Sequence, residues 1–107
     1  MGGKFKALKC RIFSGAFSGE RVFKADLGNG CVHESMAYVG YFFDSSGRPL
    51  DFHEPRPGKF VDGLVLARVL KSRASSADLE LPDGEVVVAP LTFLHQVSAR
   101  NTMNVPV

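Results

Sequence analysis

The sequence predicts an all-β domain, a small antiparallel β-barrel of about six strands. Three observations carry that prediction. Apolar and polar residues alternate with period two along several short stretches, the pattern of half-buried strands. Tight glycine turns at Gly28-Asn29-Gly30 and Pro82-Asp83-Gly84 separate such stretches. A chain of 107 residues, 45% apolar and 22% charged, fits one globular domain and is too short for two ordinary ones.

Taken in order, the first strand covers 8–13, where Leu8, Cys10 and Ile12 alternate with Lys9 and Arg11. Upstream the phase slips, because apolar Phe5 lies between Lys4 and Lys6. A β-bulge at Ala7-Leu8 would absorb one residue and turn Lys4, Lys6, Lys9 and Arg11 to one face. Residues 14–19 read as a flexible loop. Phe23, Ala25 and Leu27 then alternate with Val22, Lys24 and Asp26, up to the Gly-Asn-Gly turn. The next stretch, 31–43, is rich in β-branched and aromatic residues. Phe42 or Phe43 suits a core, and Tyr38 and Tyr41 suit the edge of a pocket.

Residues 44–62 form the main break. Pro49, Pro55 and Pro57 cannot donate ladder hydrogen bonds, and a loop of this length is often functional. Residues 63–70 are apolar on both faces and read as a central strand. Ala77, Leu79 and Leu81 alternate with Asp78 and Glu80, and 85–89 reads as a further strand. For 90–100, the helical spacing of Leu91, Leu94 and Val97 behind Pro90 suits a short helix. One helical turn followed by a short strand fits equally well.

The two halves echo one another. Leu8–Phe13 aligns with Val65–Leu70 at an offset of 57, and Ala25–Gly30 with Leu79–Gly84 at an offset of 54. As a repeat, half-units 4–43 and 63–97 would pack about a pseudo-twofold axis, with 44–62 as the crossover between them. As coincidence, they are two ordinary meanders within the single domain 1–107. In size the barrel falls with SH3-like and OB-like architectures, which carry no function of their own.

The net charge of +2 is unevenly spread, with +5 in residues 1–24, −3 in 25–66 and none in the remainder. No apolar run reaches the ~20 residues a membrane helix needs, and the first residues lack a leader pattern. Cys10 and Cys31 have no ligand or redox spacing and read as reduced, buried thiols. Together these predict a cytoplasmic protein with no membrane partner, as a monomer or homodimer. No HExxH, GxSxG, P-loop or GxGxxG occurs, so no cofactor, metal or catalytic residue is assigned.

Three functional readings remain. The first is a non-catalytic module that binds a protein or small ligand through the 44–62 loop and the barrel rim. Phe52, His53, Glu54, Arg56 and Lys59 would act there with His33 and Tyr41, since recognition often sits on loops of a β scaffold. The second is a nucleic-acid-binding barrel, with Lys4, Lys6, Lys9, Arg11 and Lys24 neutralising phosphates and Phe17 or Phe52 stacking on bases. Lysines that guard an edge strand would explain the same charges. The third is a small hydrolase or isomerase in which His33, His53 or His95 works with a carboxylate.

Overall fold

Period-two patterning does become strand along most of the chain. The computed structural model describes residues 4–97, and all of its regular structure there is strand apart from two 3-10 turns. The elements are β1 (Lys4–Ser14), β2 (Glu20–Gly28), β3 (Cys31–Tyr38), β4 (Phe42–Asp44), β5 (Phe60–Ser72), β6 (Ser76–Glu80), β7 (Val86–Pro90) and β8 (Leu94–Gln96). The 3-10 turns at Val39–Tyr41 and Leu91–Phe93 lead into β4 and β8. Six strands run in the order β3-β2-β1-β5-β6-β7 and curl into a nearly closed antiparallel barrel. The curl brings β7 against β2.

β1 and β5 form the spine. They pair without a break from Lys4 opposite Val69 to Phe13 opposite Phe60. Each also has a shared second edge. β1 carries β2 along Cys10–Ser14 and β8 along Lys6–Leu8, while β5 carries β4 along Gly63–Val65 and β6 along Arg68–Ser72. The exchange of β4 onto β5 and β8 onto β1 ties the two halves of the chain together. Its register matches as well. Phe42 meets Val65 as Leu94 meets Leu8, and Phe43 meets Leu64 as His95 meets Ala7.

Inward-facing Leu8, Cys10, Ile12, Phe23, Ala25, Val65, Leu79 and Leu81 fill the barrel around Phe42. A second, smaller cluster forms on the other side of the spine from Ala7, Leu64, Leu66 and Phe43. This accounts for the two-sided apolar pattern of 63–70 and for both Phe42 and Phe43 being buried. It also overturns the expected bulge. Ala7 and Leu8 are both buried because each faces a different cluster, and the β1–β5 register runs straight through them. Lys4 and Lys6 therefore alternate onto the side of Leu8, opposite to Lys9 and Arg11. Cys31 departs from expectation too: it is exposed, while Cys10 is buried.

Gly28, Asn29 and Gly30 all have positive φ, as a tight β2–β3 connection requires. Gly63 is needed for closeness instead. A Cβ there would lie 2.5 Å from the Phe43 carbonyl oxygen and 2.6 Å from Ile12 Cδ1. A Gly63→Ala variant is expected to lose about 2 kcal/mol in urea unfolding, since β4 must move off β5.

Candidate functional site

The crossover between β4 and β5 is built by specific polar contacts. Asp44 Oδ1 accepts hydrogen bonds from Ser46 Oγ (2.6 Å), Ser46 N (3.0 Å) and Arg48 N (3.1 Å), which folds the start of the loop. The middle is fastened by Arg21, which is 4% exposed. Its Nε donates to the Glu54 carbonyl at 2.9 Å and Nη2 to the Phe52 carbonyl, while Nη1 donates to the carbonyls of Ser18 and Glu20. One guanidinium thus joins the crossover, the β1–β2 loop and β2 through neutral acceptors. The Phe52 ring lies 5.8 Å from the same guanidinium carbon.

The expected loop residues end up in different settings. Phe52, His53, Arg56 and Lys59 are exposed, Glu54 is half-buried with its carbonyl held by Arg21, and Pro55 is buried beside it. His33 is elsewhere, on β3, with Nε2 2.9 Å from Asp83 Oδ2 in the β6–β7 turn. Tyr41 sits half-buried in the first 3-10 turn, packed against both apolar clusters. His95 is exposed on β8 opposite Ala7. Among the described residues, no three His, Cys, Asp or Glu side chains gather as a metal site would require.

The His33–Asp83 contact bridges the seam where β3 and β7 leave the sheet unpaired. Partial burial raises the Asp83 carboxyl pKa. Hydrogen bonds from His33, the Glu85 backbone N–H and Ser35 outweigh that effect and hold it below the usual carboxylate range. Ser35 and His33 thus both contact Asp83. Burial, aided by Asp62, pushes the Cys10 thiol far up and leaves it inert.

A different surface does collect chemistry. The outer face of β3, β2, β1 and β5 is ordered in rows of cross-strand partners. One row is apolar: Met36 on β3, Val22 on β2, Phe13 on β1 and Phe60 on β5. Met36 and Phe60 are 53% and 51% exposed, too open for a core role. The Phe13 and Phe60 ring centroids are 5.5 Å apart. The next row is charged and reads Glu34, Lys24, Arg11, Asp62 across the same four strands.

Lys24 Nζ hangs 5.2 Å from the Phe13 ring centre and 4.0 Å from Glu34. Beyond this row lies a depression of about 170 Å³, lined by Lys9, Arg11, Lys24, Asp26, Val32 and Asp62. Lys9 Nζ stands 5.3 Å from the centre of the Phe93 ring.

Of the expected basic set, Lys9, Arg11 and Lys24 therefore converge and Lys4 and Lys6 do not. Phe17 is 74% exposed in the loop that leaves this face. Phe13, Phe60, Met36 and Val22 escaped the sequence reading. Unbroken alternation through Lys9 and Arg11 would have placed Phe13 beside them. Comparison of the chain with protein-family models, with curated proteins and with solved structures returns no match.

Arg21→Met should cost about 3 kcal/mol, because the carbonyls of Ser18, Glu20, Phe52 and Glu54 lose a buried charge-assisted donor. Amide exchange should speed up across 51–59 in that variant. Because the folded Asp83 pKa lies below its unfolded value, the stability from that carboxylate is present above about pH 4 and is lost as pH falls through the folded pKa. The stability gap between wild type and Asp83→Asn should be level near neutrality and shrink in acid.

Proposed function

We propose that this domain is a non-catalytic protein-interaction module that binds a polypeptide on the outer face of β3, β2, β1 and β5. The observation that carries the reading is the apolar row Met36–Val22–Phe13–Phe60, exposed at both ends and bordered by charges of both signs. An apolar centre rich in aromatic and Met side chains beside a polar rim is the usual anatomy of a protein interface. Exposing Phe60 and Met36 to water has no stabilising role in the barrel itself.

The balance of charge favours a protein over a nucleic acid. Lys9, Arg11 and Lys24 are interleaved with Asp26, Asp62 and Glu34, so the face carries no net charge. Phosphate binding draws on unopposed cations. The anchored crossover supports the face from its edge, since Lys59 leads directly into Phe60.

Panning a displayed library of random peptides against the domain tests the proposal. Enriched peptides are expected to perturb the amide signals of Val22, Met36, Arg11 and Phe60. Phe60→Ser should weaken them about tenfold, in the range of a lost aromatic anchor, without changing the unfolding midpoint by much. A footprint confined to 52–59 would move the site to the crossover loop. Binding of a labelled oligothymidylate that falls steeply with salt would favour the nucleic-acid reading instead.

A further inference from the structure

We infer that the segment this face takes is an extended one with an apolar residue followed two positions later by an acidic residue. This rests on the interaction reading above and adds the chemistry of the partner.

Arg11 and Lys24 form a like-charge rung on this face. They are direct cross-strand partners, an arrangement that disfavours folding when nothing anionic lies between the two charges. Among the described residues no carboxylate comes within ion-pair distance of Arg11. The rung between the first two strands of the second half contrasts with it. There Arg68 faces Glu80 across β5 and β6, and its Nε and Nη2 donate to Glu80 Oε1 at 2.9 and 2.6 Å. The β5–β6 rung is internally neutralised, whereas on the Arg11–Lys24 rung Lys24 has Glu34 at 4.0 Å and Arg11, at the edge of the depression, has no ion-pair partner among the described residues.

A carboxylate from outside pairs with Arg11, the cation of the rung that has none, and lies beside Lys24. Arg11 offers a planar fork of donors to it and Lys24 a point charge. The neighbouring row fixes the rest of the pattern. Phe13 and Val22 are cross-strand partners one same-face step from Arg11 and Lys24. Same-face residues on a strand are about 6.6 Å apart, and an extended peptide lying along the groove between β1 and β2 repeats that spacing. Its apolar side chain covers Phe13, Val22 and Phe60 while its acidic side chain, two residues on, reaches Arg11 and Lys24. The Asp26 and Asp62 carboxylates make no side-chain hydrogen bond or ion pair among the described residues. They flank the rung and accept backbone N–H groups of the bound segment.

The test uses the intact ¹⁵N-labelled domain and a blocked peptide, Gly-Ser-Phe-Ser-Glu-Ser-Gly, followed by amide shifts. The Glu peptide is expected to bind about fivefold tighter than its Gln counterpart, and more so over its Lys counterpart. That preference should vanish in an Arg11→Gln/Lys24→Gln variant and survive in Arg11→Lys/Lys24→Arg. The amide spectrum of each variant shows that it remains folded. Equal binding of the Glu and Gln peptides, or a preference that persists without the two cations, overturns the inference. If library-selected peptides still map to the face in that case, the interaction reading stands alone. If no peptide of either kind maps there, that reading has failed as well. Displacement of the Glu peptide by oligothymidylate at low salt would also overturn the inference, since the rung would then serve phosphates.

Discussion

Everything else in this molecule hangs on the continuous pairing of β1 with β5. A strand has two faces, and a slip of one residue exchanges them. With no slip between Lys4–Val69 and Phe13–Phe60, Leu8, Cys10 and Ile12 enter the barrel and Lys9, Arg11 and Phe13 leave it. The same ladder supplies the edges on which β2, β4, β6 and β8 close the sheet. Both the core and the outer face are consequences of that single register.

The register also explains why the outer face differs from an ordinary barrel surface. Near the middle of the spine, Phe43 covers Ala7, Leu64 and Leu66, so the outer side there is a second small core. Farther along the sheet Phe13 and Val22 are only half-buried and Phe60 and Met36 are exposed. The change from covered to uncovered occurs along one strand. It marks where intramolecular packing ends and where a partner has room.

The strands were legible because alternation is a local property. Phe23, Ala25 and Leu27 against Lys24 and Asp26 locate β2 from a few residues, and the two glycine turns bound the hairpins. The same holds for the two-sided run that became β5. The phase of Lys4–Lys6 was not local, because Ala7 is apolar for the sake of Phe43 and Leu66, which are distant in sequence. Reading it as a bulge gathered four cations on one face where the ladder separates them.

The role of Arg21 was hidden for a similar reason. In sequence it is one more cation of a basic segment, and only the approach of Phe52 and Glu54 makes it a buried fastening. Of the expected site residues, Lys9, Arg11 and Lys24 share a surface, while His33, Tyr41 and the crossover residues are dispersed by the fold.

Cross-strand nuclear Overhauser contacts measure the spine register directly. The unbroken register requires contacts between the Phe13 and Phe60 rings, and between the side chains of Arg11 and Lys24, with none from Lys6 to Lys9 across the sheet face. Contacts placing Phe13 against Phe42 in the barrel interior, or Lys6 beside Lys9 on one face, would contradict it and dissolve the proposed surface.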